Sequence, residues 1–299
     1  MHLQMLLLLL SIFYSTIFVV GKYALAHSTP AFLTGSRMLL AGCVLLVFQC
    51  FWDPKALRLE KKHLLPIVII ALTGVYLTNI LEFWGLQFMP SAKACFLCGF
   101  FPIATALLSY QWFEERLSTR QWIGLLVGMI GFIPLLLNTD DPKTLLSFAL
   151  PEWAVLGSAA CSAVGWIAMR TLVKKQGFSA LSANSLSMIL GGFFALLHSW
   201  HLEGWDPLPL SSWTLFLPWL LLISLISNII CYNLHANLLK YFSATYVSLT
   251  FLSQPFLAAL FGWIFLDEIL SMHFWISLAL VTLGLYLYYR EALKQKDTA

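Results

Sequence analysis

Charge is scarce in this chain. Asp, Glu, Lys and Arg supply 10% of its 299 residues, where an ordinary soluble domain has about a quarter. So little charge excludes a soluble globular domain, and no basic run is available to grip a nucleic acid. Paired cysteine chemistry is lacking as well. Cys95-Phe96-Leu97-Cys98 has the spacing of a redox or zinc pair, but it lies in an apolar span with no second pair. Cys43, Cys50, Cys161 and Cys231 are scattered. All six read as small buried hydrophobes. P-loop, Gly-x-Ser-x-Gly and His-Glu-x-x-His motifs are absent, so no ATP-driven or hydrolytic chemistry is signalled. The carboxylate pairs Glu114-Glu115 and Asp267-Glu268 sit at span ends and read as interfacial caps. The expectation is of no catalytic residue, no metal and no cofactor.

What the chain has is apolar length. Sixty per cent of its residues are hydrophobic and its mean hydropathy is +0.83. Crossing a hydrocarbon core of about 30 Å takes roughly 20 apolar residues in a helix. Ten such spans are predicted, at 3–26, 30–52, 64–86, 91–113, 119–137, 152–173, 181–200, 213–236, 242–266 and 271–290. The breaks between them carry Pro30, Asp53-Pro54, Pro90, Asp141-Pro142, Gly177 and Asp206-Pro207, all helix-ending chemistry. Strands of alternating polarity are lacking, which argues against a β-barrel. The first span has neither a basic start nor a small-residue cleavage site and is expected to be retained.

Placing the N-terminus in the cytoplasm puts thirteen of the 17 Lys and Arg residues in inner loops and the tail: Lys55, Arg58, Lys61, Lys62, Arg116, Arg120, Arg170, Lys174, Lys175, Lys240, Arg290, Lys294 and Lys296. The outer loops then hold Lys143 alone, beside Asp140, Asp141, Glu152, Glu203 and Asp206. That bias predicts both termini inside and an even number of spans.

One stretch occurs twice. Residues 102–131 return at 255–284 at a constant offset of 153, pairing Pro102 with Pro255, Glu115 with Glu268, Ser118 with Ser271, Trp122 with Trp275 and Gly131 with Gly284. The chain therefore reads as two copies of one unit: residues 1–138, an outer linker at 139–151, and residues 152–299 with a short basic tail. Five spans per copy is odd, so the second copy enters the membrane from the opposite side. The expected fold is an all-α membrane protein of ten transmembrane helices in two inverted five-helix repeats, with cytoplasmic termini. Secondary transporters use that architecture to alternate access to a midplane site.

Ionisable residues inside spans cost about 3 kcal/mol each unless they snorkel or find a partner. Lys22, Arg37, Glu82 and Lys93 all lie within about two turns of the outer ends of spans one to four. As one cluster, they would hold a carboxylate or phosphate while Glu82 takes an ammonium group. In the other reading the lysines snorkel to the surface and Arg37 pairs permanently with Glu82. Asn228, Asn233, His235 and Asn237 crowd the second half of span eight and must face a cavity or another helix. His235 either carries a coupling proton or hydrogen-bonds near the inner interface. Span nine adds Tyr246, Ser248, Thr250, Ser253 and Gln254 before Pro255. Pro102 and Pro255 free backbone carbonyls and permit a hinge. Among the aromatics, Phe83, Trp84, Trp112, Trp166, Tyr232 and Tyr246 serve either as an interfacial belt or as stacking surfaces for a cationic or planar group.

Glu115-Arg116-Leu117-Ser118 and Glu268-Ile269-Leu270-Ser271, each after a proline-bearing span and before a glycine-bearing one, resemble the EamA branch of the drug/metabolite transporter superfamily. Gly21-Lys22, and Pro30 followed by Arg37-Met38-Leu39-Leu40-Ala41, resemble that family's first two helices. The second copy departs from the pattern, with Asn184 and Ser185 where an arginine is expected in span seven. The resemblance implies a ten-helix fold with a central cavity that carries small organic metabolites. Relatives from intracellular bacteria include carriers of S-adenosylmethionine.

The expected protein is therefore a secondary carrier in a bacterial inner membrane. It moves an amino-acid-derived metabolite by exchange or gradient coupling, with protons as a candidate coupling ion, as a monomer or homodimer. The candidate binding residues are Lys22, Arg37, Glu82, Lys93, Trp84, Tyr232, Asn233, His235, Tyr246 and Gln254. An exporter of amino acids or other amphipathic compounds is the alternative. A membrane-embedded lipid-modifying enzyme is the alternative of another class.

Overall fold

A computed structural model describes residues 2–89, 91–131, 133–134, 149–254, 256–257, 260 and 272–297. Helical segments run at α1 (His2–Leu25), α2 (Pro30–Trp52), α3 (Lys61–Leu86), α4 (Ser91–Cys98), α5 (Phe101–Phe113), α6 (Thr119–Ile130), α7 (Leu150–Lys175), α8 (Ala180–Leu202), α9 (Trp213–Leu238), α10 (Ala244–Ser253) and α11 (Met272–Asp297). Among the described residues, eight stretches are long and apolar enough to cross a membrane. Among the described residues there is no β-strand, only an isolated bridge between Ser28 and Leu210.

The exposed surface is itself apolar. Val47, Phe48, Phe51, Leu65, Leu215 and Leu221 point outward from helices, a pattern that suits lipid and not water. Trp52, Trp112, Trp153, Trp200 and Trp213 are exposed at helix ends, where indole rings sit at a membrane interface.

Span four is not continuous. It breaks at Gly99-Phe100, whose amides bond three residues back, to Phe96 and Leu97. Pro102, buried at the start of α5, has no N–H to return to Cys98, so the helix cannot wind through. The paired proline, Pro255, lies outside the described residues. The repeated Glu-x-Leu-Ser motif has a structural purpose in its first copy. Glu114 ends α5 in the left-handed conformation (φ 54°). Ser118 then caps α6, its hydroxyl accepting from the Gln121 amide at 3.3 Å while the Gln121 side chain accepts from the Ser118 amide at 2.8 Å. Glu115 pairs with the buried Arg170 of α7.

Helices meet on glycines. α2 packs on α8, α3 on α7 and α6 on α11. In the second pair a Cβ on Gly165 would lie 2.5 Å from the Gly74 Cα. The two backbones touch there, as small residues allow in membranes. Gly165→Val is expected to lower stability by about 1–3 kcal/mol through overpacking, read as a drop in melting temperature in detergent. A wild-type melt would contradict this packing.

The start of α2 is tied from a distance. Glu203, just past α8, accepts from the Thr29 hydroxyl at 2.5 Å and from the amides of Ala31 and Phe32 at 2.9 and 3.0 Å. A carboxylate on a helix N-terminus satisfies orphan donors and the helix dipole together. Glu203→Ala is expected to cost roughly 1–2 kcal/mol in a thermal melt. Glu203→Gln, which keeps an acceptor, should cost less.

Candidate functional site

Three helices contain π-type turns: Ile70–Leu77 within α3, Thr171–Lys175 within α7 and Ser224–Cys231 within α9. A π turn bonds one residue further along than an α turn and leaves carbonyl oxygens for side chains. Those of α3 and α9 flank a small central cavity of about 60 Å³. α1 lines it with Tyr14 and Ile17, α2 with Arg37, and α3 with Thr78, Asn79, Glu82 and Phe83. Cys98 of α4, Ser162 and Trp166 of α7, Ser227 and Tyr232 of α9, and Phe251 and Gln254 of α10 complete it.

Arg37 is 1% exposed. It donates through Nη2 to Asn79 and through Nη1 to the Ser227 hydroxyl at 3.4 Å, and the Phe83 ring covers its guanidinium at 4.7 Å. Asn79 is itself fixed, donating to the Val75 carbonyl at 2.6 Å and to the Tyr232 hydroxyl at 3.3 Å. Tyr232 in turn donates to the Gly74 carbonyl at 3.3 Å. Both carbonyls belong to the π turn of α3. Among the described residues no ion pair joins Arg37 to Glu82, and Arg37 Nε and Gln254 Nε2 are buried without a hydrogen-bond partner. The cavity thus presents a fixed cation, a separate carboxylate and unspent donors.

One side of the cavity is aromatic. Trp166 stacks on His235 with ring centroids 3.7 Å apart and planes within 3°. His235 is fully buried, its Nδ1 3.5 Å from the Tyr14 hydroxyl. Phe251 lies 4.9 Å from Tyr14.

Of the residues singled out from the sequence, Arg37, Glu82, Phe83, Trp166, Tyr232 and Gln254 face this one cavity. His235 stands behind Trp166 and is fully buried. Lys22 is exposed in the last turn of α1, and Trp84 packs on Phe88 at 5.1 Å. Asn233 is spent between helices, accepting from Asn184 at 2.9 Å. Tyr246 lines a different hollow. The Lys93 side chain lies outside the described residues. Tyr14, Asn79, Ser162 and Ser227 are lining residues that sequence reasoning did not single out. Asn79 had a signal, since it stands 153 residues before Tyr232, the repeat offset itself.

Apolar helices long enough to cross a membrane, closed round a cavity with both signs of charge, describe a multi-pass membrane protein with a polar cavity at its centre. The comparison with known proteins gives this class its family: residues 3–137 and 150–290 match the EamA-like transporter family, and the chain belongs to it. The S-adenosylmethionine/S-adenosylhomocysteine transporter of Chlamydia muridarum is 35% identical over 286 residues, covering 94% of this chain and 90% of the relative. The protein of the same name from Chlamydia trachomatis serovar L2 is 35% identical over 287 residues, covering 94% and 87%. The uncharacterized transporter YoaV of Bacillus subtilis is 26% identical over 269 residues, covering 87% and 88%. A crystal structure of 18% identity matches 98% of both chains with a TM-score of 0.77, a likeness of fold.

Proposed function

We propose that this transporter is a secondary carrier of S-adenosylmethionine, exchanged for S-adenosylhomocysteine across a bacterial inner membrane. The observation that carries the reading is the central cavity, with Arg37 and Glu82 at its polar side and Trp166, Tyr232 and Phe251 as rings. S-adenosylmethionine has a complementary group for each: a carboxylate for Arg37, an ammonium and a sulfonium for Glu82, and a purine for the rings. The two Chlamydia relatives, named S-adenosylmethionine/S-adenosylhomocysteine transporters, support the choice of cargo.

In this reading ten helices form two inverted five-helix repeats with cytoplasmic termini, and the halves rock about the cavity to alternate access. The π turns in the third helix of each half, α3 and α9, support the repeat. So do the lysines and arginines, gathered on the loops this topology places inside.

The test is counterflow in proteoliposomes preloaded with unlabelled amino acids, nucleosides, S-adenosylmethionine or S-adenosylhomocysteine. Labelled S-adenosylmethionine should accumulate against the last two and not against the nucleosides. Accumulation only against an ordinary amino acid would replace the proposed cargo with that one.

A further inference from the structure

Toward the end of the bundle where α1 begins lies a second hollow of about 360 Å³. Its wall includes Ser11 of α1, Tyr246, Thr250 and Ser253 of α10, and Tyr289 of α11. The two hollows share walls: on α1 Ser11 lines the second and Tyr14, one turn on, the first, and on α10 Thr250 lines the second while its neighbour Phe251 lines the first. Phe251 lines the central cavity and not the second hollow, and it packs among other rings. Phe251 sits 4.9 Å from Tyr14, 4.7 Å from Phe101 and 6.3 Å from His235, centroid to centroid.

The backbone beneath Phe251 is not α-helical. Leu249–Ser253 winds as a 3-10 helix inside α10, and such an interior stretch marks a hinge or a strained sequence. Here the hydroxyls favour a hinge. Ser248, Thr250 and Ser253 each donate to the carbonyl three residues back, at 2.8, 2.8 and 2.7 Å, and Ser11 reaches the Thr250 carbonyl at 3.5 Å. These carbonyls keep a partner whether the amides take 3-10 or α bonds, so rewinding strands no buried acceptor. Rewinding from 3.0 to 3.6 residues per turn rotates the chain by about 20° per residue, enough to swing a ring out of that packing. The first half breaks at the same register. Gly99-Phe100 precedes Pro102 as Leu252-Ser253 precedes Pro255.

We infer that the second hollow is the inner vestibule of the transport path, and that Phe251 on its 3-10 hinge is the door between vestibule and binding cavity. The inference rests on the carrier reading above and takes the same zwitterionic, amphipathic cargo, which the mixed wall of leucines and hydroxyls suits.

Cys98, a lining residue of the central cavity, is the reporter. In a variant that keeps it as the sole cysteine, a membrane-impermeant methanethiosulfonate is applied to inside-out vesicles. Phe251→Ala is expected to speed modification of Cys98 at least tenfold. Phe251→Leu, which keeps apolar bulk and protects folding, should speed it at least threefold. With Cys98 also replaced, Ser11→Cys should react from the inner face with Phe251 intact. Equal Cys98 rates with Phe, Leu and Ala at position 251 would overturn the door, and an unreactive Ser11→Cys would overturn the vestibule. No cargo enters these readings, so a failure here is distinct from failure of the cargo assignment, which counterflow reads.

Discussion

Arg37→Ala is expected to abolish counterflow while the protein is made, inserted and extracted as a monodisperse species. The side chain is 1% exposed and held on three sides, by Asn79, Ser227 and the face of Phe83. None of these carries the negative charge that a buried guanidinium calls for, and Nε has no partner among the described residues. In the proposed complex the cargo carboxylate is that charge. Removing one member of a buried pair costs about 3–5 kcal/mol, a loss in affinity of a hundredfold or more. Arg37→Lys should recover little, because an ammonium cannot keep the Asn79 and Ser227 bonds and also present a planar fork. Equal counterflow by Arg37→Ala at equal protein level would remove the carboxylate site from the account.

Glu82→Gln is expected to act on selectivity. S-adenosylmethionine carries a sulfonium beside its ammonium group, whereas S-adenosylhomocysteine carries a neutral thioether, so the two cargoes differ by one positive charge at nearly constant shape. Glu82 is the one carboxylate among the described lining residues of the cavity. A hydrogen bond to a charged group contributes about 1.5–3 kcal/mol, and the charge-neutral variant should therefore weaken S-adenosylmethionine by roughly tenfold or more. S-adenosylhomocysteine should be weakened less, since it loses only the partner of its ammonium. Competition assays on the purified variant give both affinities. If both cargoes weaken by the same factor, Glu82 serves the ammonium alone and the sulfonium is read elsewhere, by rings such as Trp166.

These residues were legible before any coordinates because a buried charge in an apolar run is costly and needs a reason. Arg37 and Glu82 stand out on that ground. Tyr232 and Gln254 stand out as polar groups in spans that lipid cannot satisfy. Lys22 has the same chemistry but sits on the outward face of α1, and depth in the membrane does not distinguish the faces of one helix. Asn233 shows the complementary difficulty. A polar side chain meets its hydrogen-bonding need equally well against another helix, here Asn184, and sequence does not separate that from a cavity wall. The π turns of α3 and α9 leave no mark in hydropathy, yet carbonyls of the first anchor Asn79 and Tyr232. The break before Pro102 was legible from proline alone, whereas the 3-10 winding before Pro255 needed the hydroxyls to be seen in place.

The central claim is that cargo sits among Arg37, Glu82 and Trp166, and Cys98 lines that same space. The most direct measurement is the rate of Cys98 alkylation by N-ethylmaleimide in the purified single-cysteine protein, with and without saturating S-adenosylmethionine. The account predicts at least a fivefold slowing, lost in Arg37→Ala and absent with a nucleoside that fails in counterflow. An unchanged rate, in protein that still exchanges S-adenosylmethionine, would place the cargo outside this cavity and contradict the account.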